Sequence, residues 1–456
     1  MPQFRDPVHG LVYVSEDEKK IIDSTPFQRL RNIRQLATTY LVYHGAEHTR
    51  FGHSIGVMHL VTRVFDSVTS KLPEVFRPDH KENKIVIAWY RQILRLIALT
   101  HDLGHAPFSH ATEDLFAKGY EHEHYTKRII EETIIAEYIN DIGDKLHKEL
   151  ANTMQVTTDE LIEKYNVRPI TPQLLWMIYG EKPSVRNSEY IWPDFVFLKS
   201  FMDGELDCDK MDYLLRDSLF CGVTYGKYDL ERFISTLEIY KNEDEKVLLL
   251  AISSGGVQVF EEFVLARYFM FIQVYFHKTR RYFDKLLVEG LKEILPAGKF
   301  PVEIEEYLSW DDARVISEMK RAKGSFSQQY INRKSMTCVF ETPAHATKDD
   351  NVFVRDLLDN LKEAFPDELF QIDDVDKKAH KLLPTIHPPE DDGGGEIKVV
   401  DRYTKKASNV MDCSLILSGI IAKIYICRLY ARGESEESID RIKKWICEYG
   451  LKVFNR

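Results

Sequence analysis

The stretch IVIAWYRQILRLIALTHDLGHAPFSH, residues 85–110, constrains the fold more than any other part of the chain. Val86, Ile93, Leu94, Ile97 and Ala98 recur at helical spacing and form one broad apolar face, and Gly104 with Pro107 supplies the stop signal of a helix C-terminus. Four proton-active, metal-capable side chains, His101, Asp102, His105 and His110, follow directly. A buried core has little use for such groups, so this helix is expected to end at a functional site.

Helical periodicity continues from about residue 16 to 290. HSIGVMHLVTRVF sets His53, Val57, Leu60 and Val64 on one face, and the run from Val259 to Leu295 is long enough for one long helix or two. KVLLLAISS is the clearest strand in this part. After about residue 298 the units shorten to SMTCVFET, LFQIDDV and EIKVVDRY mixed with short helices. The expected fold class is therefore mainly α, with a helical core over 1–297 and a smaller C-terminal α+β lobe over 298–456. IHPPEDDGGGE, at 386–396, reads as a surface loop, and there is no internal repeat.

Composition excludes several alternatives. A chain of 456 residues with 44% hydrophobic side chains can bury a large core. Its net charge of -11 provides no general attraction for polyanions, so a nucleic-acid partner is possible but not favoured. MPQFRDPVHGLVY lacks the basic and apolar regions of a leader, and none is expected. CSLILSGIIAKIYICRLYA is broken by Lys423, so it reads as a buried helix or strand and no membrane span is expected. Six cysteines at scattered positions, with no CxxC pair, suit reduced thiols and a cytoplasmic location.

His101 and Asp102 diverge around the helix end yet can meet a single ion beyond it. HTRFGHS offers His53 as a further ligand, and GELDCDKMDYLLRD offers Asp209. Two imidazoles and two carboxylates suit one divalent ion, Mn, Fe, Zn, Ni or, less well, Mg. On the helix starting near Asp207, Asp209, Tyr213 and Asp217 fall at i, i+4 and i+8 and would line one cleft. Nothing beyond proximity recommends His9, His44 or His59, whereas His48 lies beside the site without being a ligand.

FRDPVHG, IIDSTPFQRLRNIRQL, HTRFGHSIGV, HDLGHAPFSH, DCDKMDYLLRD and VYFHK occur in one order over residues 4–290. In this the chain resembles the HD-domain metal phosphohydrolases, and within them the dNTP triphosphohydrolase branch that includes the animal sterile-alpha-motif and HD-domain enzyme and its bacterial relatives. The resemblance implies a helical HD-domain core with His53, His101, Asp102 and Asp209 as metal ligands. It implies that Arg50, Lys210 and Arg267 hold the phosphates of a dNTP carried with Mg. Gln35 and Asp217 would bind the 3'-hydroxyl, while Leu36 and Tyr275 lie under the deoxyribose and Tyr213 lines the same cleft.

His110 would then be the general acid, His105 would stabilise the phosphate, His122 would support both, and Glu113 would orient His110. Asp23, Gln28 and Arg31, with His277, Lys278 and Arg333, would read a guanine activator, GTP or dGTP, between subunits of a homo-oligomer, plausibly a tetramer. Functions tied to a sterile-alpha-motif module are not expected. The glutamate at 113, Arg5 in place of a neutral amide, and the uncharged SSGGVQVF run depart from the animal pattern. The function implied is hydrolysis of dNTP to deoxynucleoside and triphosphate. The alternatives are an HD-type phosphodiesterase or nuclease and a nucleotide-sensing binding protein.

Overall fold

The computed structural model describes residues 1–71, 81–165, 167–180, 193–242, 247–378, 397–419 and 423–454. The loop expected at 386–396 lies outside the described residues.

Helices dominate, as the periodicity implies. An N-terminal antiparallel hairpin pairs Gln3–Asp6 with Gly10–Tyr13 and leads into the helix Glu16–Asp23. That helix opens with a capping box: Ser15 accepts from the Glu18 backbone N–H while the Glu18 carboxylate accepts from that of Ser15. Glu18 is buried and also accepts from Arg95 Nε and Nη2, both at 2.7 Å, which ties the N-terminal segment to the helix Lys81–Thr100.

Three helices carry the site, Arg50–Ser70, Lys81–Thr100 and Cys208–Cys221. Val57, Leu60 and Val64 have no exposed surface, and burying each stabilises the bundle by roughly 1.5–3 kcal/mol. Gly56 sets the approach of Arg50–Ser70 to Cys208–Cys221: a Cβ there would lie 2.1 Å from Asp212 Oδ1 and 2.3 Å from Arg216 Nη2.

The long run from residue 257 forms two helices, Val257–Met270 and Lys278–Ile294, joined by a π turn over Phe271–Tyr275. The helices Asp312–Arg321 and Ser325–Ile331 pack on Lys278–Ile294. KVLLLAISS forms Val247–Ser253, which pairs antiparallel with Leu237–Asn242 and parallel with Lys398–Val400.

A second, three-stranded sheet has Lys423–Arg432 at its centre, with Thr337–Glu341 and Leu369–Lys378 antiparallel on either side. The apolar stretch from Cys413 is thus a short helix, Leu415–Gly419, and a buried central strand. Among the described residues no helix is long and apolar enough to cross a membrane. One large core extends from the hairpin to Tyr430, and a smaller one packs the helices Lys348–Ala364 and Glu436–Phe454 on the three-stranded sheet.

Candidate metal centre and active site

Four side chains from three helices meet at one point. His53 lies in the first turn of Arg50–Ser70, His101 and Asp102 directly follow Lys81–Thr100, and Asp209 occupies the first turn of Cys208–Cys221. His53 Nε2 lies 2.8 Å from Asp209 Oδ1 and 3.7 Å from Asp102 Oδ2, and His101 Nε2 lies 3.4 Å from Asp102 Oδ1 and 3.7 Å from Asp209 Oδ1.

The donors fit a divalent ion. His101 Nδ1–H donates to the Ala98 carbonyl at 2.7 Å, which turns the Nε2 lone pair toward the carboxylates, and that buried Nε2 has no hydrogen-bond partner. His53 Nδ1 is likewise held by Asp212 Oδ2 at 2.8 Å, leaving Nε2 for an ion. Burial alone would discharge His53, but the Asp209 and Asp212 carboxylates push it up to about 10, so a proton stands in for a cation. Burial would also neutralise Asp102, yet Arg50 and the neighbouring histidines hold its carboxyl well below the usual range.

Next to this centre stands a second cluster of imidazoles. A Cβ on Gly104 would lie 2.0 Å from the His122 carbonyl, so only glycine lets the helix His122–Glu132 sit this close. His122 then stacks on His105 with ring centroids 4.1 Å apart. Phe108 and Ser109 both have left-handed backbone, φ 60° and 53°, unusual for two successive side-chain-bearing residues. The turn is pinned by the buried Asp312, whose carboxylate accepts from the Phe108 N–H at 2.7 Å and the Arg34 N–H at 3.0 Å. Ser109 adds a hydrogen bond to the Arg34 carbonyl at 2.7 Å.

This turn presents His110 on the surface beside Glu113, whose Oε1 lies 2.9 Å from both His110 Nδ1 and His122 Nδ1. Against the effect of burial, those two histidines hold the Glu113 carboxyl far below its usual range.

A polar corner adjoins the metal centre on the helix Cys208–Cys221. Asp217 accepts from the Tyr275 hydroxyl at 2.7 Å, and its other oxygen is 2.7 Å from His48 Nε2. Tyr275 ends the π turn, a local geometry frequent at functional sites, and meets Tyr213 edge-on at 6.4 Å. The half-buried Gln35 has an Oε1 atom with no hydrogen-bond partner, and Leu36 beside it is buried.

The three phosphate candidates are already engaged. Arg50 pairs with Asp102 at 2.7 Å and donates to Ser109 Oγ, and Lys210 is tied to Asp207 and the Gly204 carbonyl. Arg267 lies 3.3 Å from Glu205 and keeps a buried Nε with no acceptor.

The activator candidates fall into two groups. Asp23, paired with Lys19, sits at the end of Glu16–Asp23, while Arg31 donates to Gln28 Oε1 at 2.8 Å and lies 3.4 Å over the Phe51 ring. The other group surrounds residues 41–43: His277 packs edge-on against Tyr43, and Arg333 donates to the Leu41 carbonyl. Lys278 follows His277 and is exposed.

Sequence reasoning missed the support behind the candidate ligands. The side chain of His9, read as ordinary, is buried, with Nε2 2.6 Å from Asp212 Oδ1. The same carboxylate holds His53 and takes a two-nitrogen contact from Arg216, which reaches Asp6 with its remaining nitrogen at 2.9 Å. Asp212 stands three residues after Asp209 in DCDKMD, and that spacing was the available signal.

Residues 50–173 match the HD domain, and residues 228–352 match the HD associated region. The chain is 34% identical over 289 residues to the uncharacterized protein YwfO of Bacillus subtilis, covering 63% of this chain and 54% of that one. It is 29% identical over 252 residues to the deoxynucleoside triphosphate triphosphohydrolase SAMHD1 of Danio rerio, covering 51% of this chain and 36% of that protein. Thus the chain spans about half the length of the first relative and about a third of the second. A crystal structure of a hypothetical protein from Aquifex aeolicus is 30% identical, covers 97% of this chain and 99% of that one, and superposes with a TM-score of 0.71. With both regions matched, the chain belongs to the HD-domain phosphohydrolases and is a distant relative of the dNTP triphosphohydrolases.

Proposed function

We propose that the protein hydrolyses deoxynucleoside triphosphates to deoxynucleoside and inorganic triphosphate. The observation that carries this reading is the meeting of His53, His101, Asp102 and Asp209 beside the cluster of His105, His110, Glu113 and His122. A divalent ion, Mn, Fe, Zn, Ni or Mg, held by the first four would polarise the α-phosphate and lower the pKa of water from about 15.7 toward about 7.

The chain's own groups do the rest. In-line attack at the α-phosphorus breaks its bond to the nucleoside 5'-oxygen, and His110 gives that oxygen a proton. Glu113 orients the His110 ring, while His105 and His122 steady the phosphate. Arg267, with its unpartnered Nε, joins Arg50 and Lys210 in holding a Mg-bound triphosphate. Asp217 and Gln35 take the 3'-hydroxyl. Tyr275, Leu36 and Tyr213 close the space a 2'-hydroxyl would need.

In this reading residues 1–297 carry the chemistry and the activator segment, and 298–456 form the appended lobe. GTP or dGTP is bound at a subunit junction by Asp23, Gln28 and Arg31 with His277, Lys278 and Arg333, which links activation to a tetramer. The exposed Arg31, fixed against the half-buried Gln28, supports a base-reading edge there. The six unpaired cysteines support action in the cytoplasm.

The test is incubation of each dNTP with Mn or Mg, with and without GTP, followed by ion-exchange separation. Inorganic triphosphate formed faster with GTP is the expected product. Pyrophosphate with a nucleoside monophosphate would point to other chemistry.

A further inference from the structure

The His105, His110, Glu113 and His122 cluster has a geometric feature that general acid catalysis leaves unused. His105 Nε2 lies 3.1 Å from Asp102 Oδ1 and donates to it, so Nδ1 on the same ring carries a lone pair. That Nδ1 is buried, has no hydrogen-bond partner, and points toward Glu113 Oε1 at 3.8 Å. A lone pair facing a carboxylate is repulsive unless a cation lies between them. Two more imidazole nitrogens, His110 Nδ1 and His122 Nδ1, face the same oxygen at 2.9 Å. A further carboxylate oxygen, Glu123 Oε2, is buried without a hydrogen bond 3.3 Å from His122 Nδ1 and adds negative charge.

We propose that His105 Nδ1, His110 Nδ1, His122 Nδ1 and a Glu113 oxygen form a second cation site, separate from the His53, His101, Asp102 and Asp209 centre, and that it takes Zn. Each of the four residues offers a ligand atom within 4.8 Å of those of the others. Tetrahedral zinc, with ligands about 2.0–2.1 Å away, places its donors roughly 3.3 Å apart. The observed spacings from the Glu113 oxygen to the three nitrogens, 2.9, 2.9 and 3.8 Å, bracket that value. Three nitrogens and one oxygen favour zinc over magnesium, which prefers six oxygens. Zinc here would also draw Glu113 and His110 away from the leaving group. That inhibitory consequence rests on the dNTP hydrolysis reading, whereas the binding itself does not.

The experiment counts zinc in the full chain without substrate, by zinc chloride titration against a chromogenic chelator and by native mass spectrometry. Glu113→Gln and, separately, His122→Gln should each bind one zinc fewer than wild type. Asp209→Ala should keep the zinc that these variants lose. Cobalt in place of zinc should give Asp209→Ala an intense tetrahedral visible band that is missing when Glu113→Gln is added. Wild type and both cluster variants binding equal numbers of zinc ions, with native circular dichroism in each, would overturn the site. Micromolar zinc should then stop turnover in Mn-loaded wild type. Unimpaired turnover by a chain shown to hold the second zinc would overturn only the inhibitory consequence.

Discussion

Asp212→Asn separates two roles that one carboxylate performs. Asp212 has no exposed surface and meets His53 Nδ1 at 2.8 Å, His9 Nε2 at 2.6 Å, and Arg216 Nε and Nη2 at 2.7 and 2.9 Å. The first contact fixes the tautomer and direction of a candidate metal ligand. Losing such support typically weakens metal affinity by about 10–100-fold, or about 1.4–2.8 kcal/mol. The arginine contacts bear on stability instead. Breaking a buried ion pair from one side costs about 3–5 kcal/mol, and because Asp6 still accepts from Arg216, the lower end, about 3 kcal/mol, is expected. Adding Arg216→Met removes that charge but leaves buried Asp6 without its arginine, so Asp212→Asn/Arg216→Met should regain only part of the stability while its metal affinity stays low. Urea unfolding midpoints and competition against a fluorescent chelator measure the two effects. Wild-type metal affinity in Asp212→Asn, or its recovery in the double variant, would refute the support assigned to this carboxylate.

Three further outcomes follow from individual residues. Burial pushes the Asp312 carboxyl up to about 6 from an ordinary 3.8, so the folded chain holds this proton more tightly than the unfolded one; its contribution is complete below about pH 4 and falls by roughly 3 kcal/mol as pH rises to 6. Asp312→Asn should flatten that part of the urea midpoint profile between pH 4 and 7, and parallel profiles for the two proteins would count against it. His110→Ala should keep the ion of the His53, His101, Asp102 and Asp209 centre and lose about a hundredfold or more in turnover, as metal analysis beside a rate assay on Mn-loaded protein would reveal; loss of that ion would make His110 one of its ligands. Tyr275→Ala should bind GTP and other ribonucleotides in the active site more tightly than wild type, seen as a fall in their KM, and equal hydrolysis of dATP and ATP by wild type would contradict the sugar placement.

Much of the site could be read from sequence because helices make local spacing visible. The apolar face of Lys81–Thr100 announces its own end, and HD follows it. The i, i+4, i+8 pattern brings out Asp209, Tyr213 and Asp217, of which Tyr213 and Asp217 both meet Tyr275. Asp212 escaped that pattern because it stands at i+3 from Asp209, off the i, i+4, i+8 register, although both carboxylates meet His53. His9 escaped because its partner is 203 positions away, and no local period reports a contact at that range. Asp312 is hidden for the same reason: it pins a turn 204 residues earlier. The fold class was legible throughout, since strands in the C-terminal part carry short β-branched and aromatic runs, whereas their order around Lys423–Arg432 depends on pairing that sequence does not print.

Hydrolysis of dATP in water enriched in the heavy oxygen isotope tests the central claim most directly. With the metal-loaded chain and GTP present, mass spectrometry should find one heavy oxygen in the released triphosphate and none in deoxyadenosine, because attack occurs at the α-phosphorus and the 5'-oxygen leaves with the sugar. Asp102→Ala, lacking a proposed metal ligand, should yield neither product. Label in the nucleoside, release of pyrophosphate, or undiminished hydrolysis by Asp102→Ala would contradict metal-dependent triphosphohydrolysis at this centre.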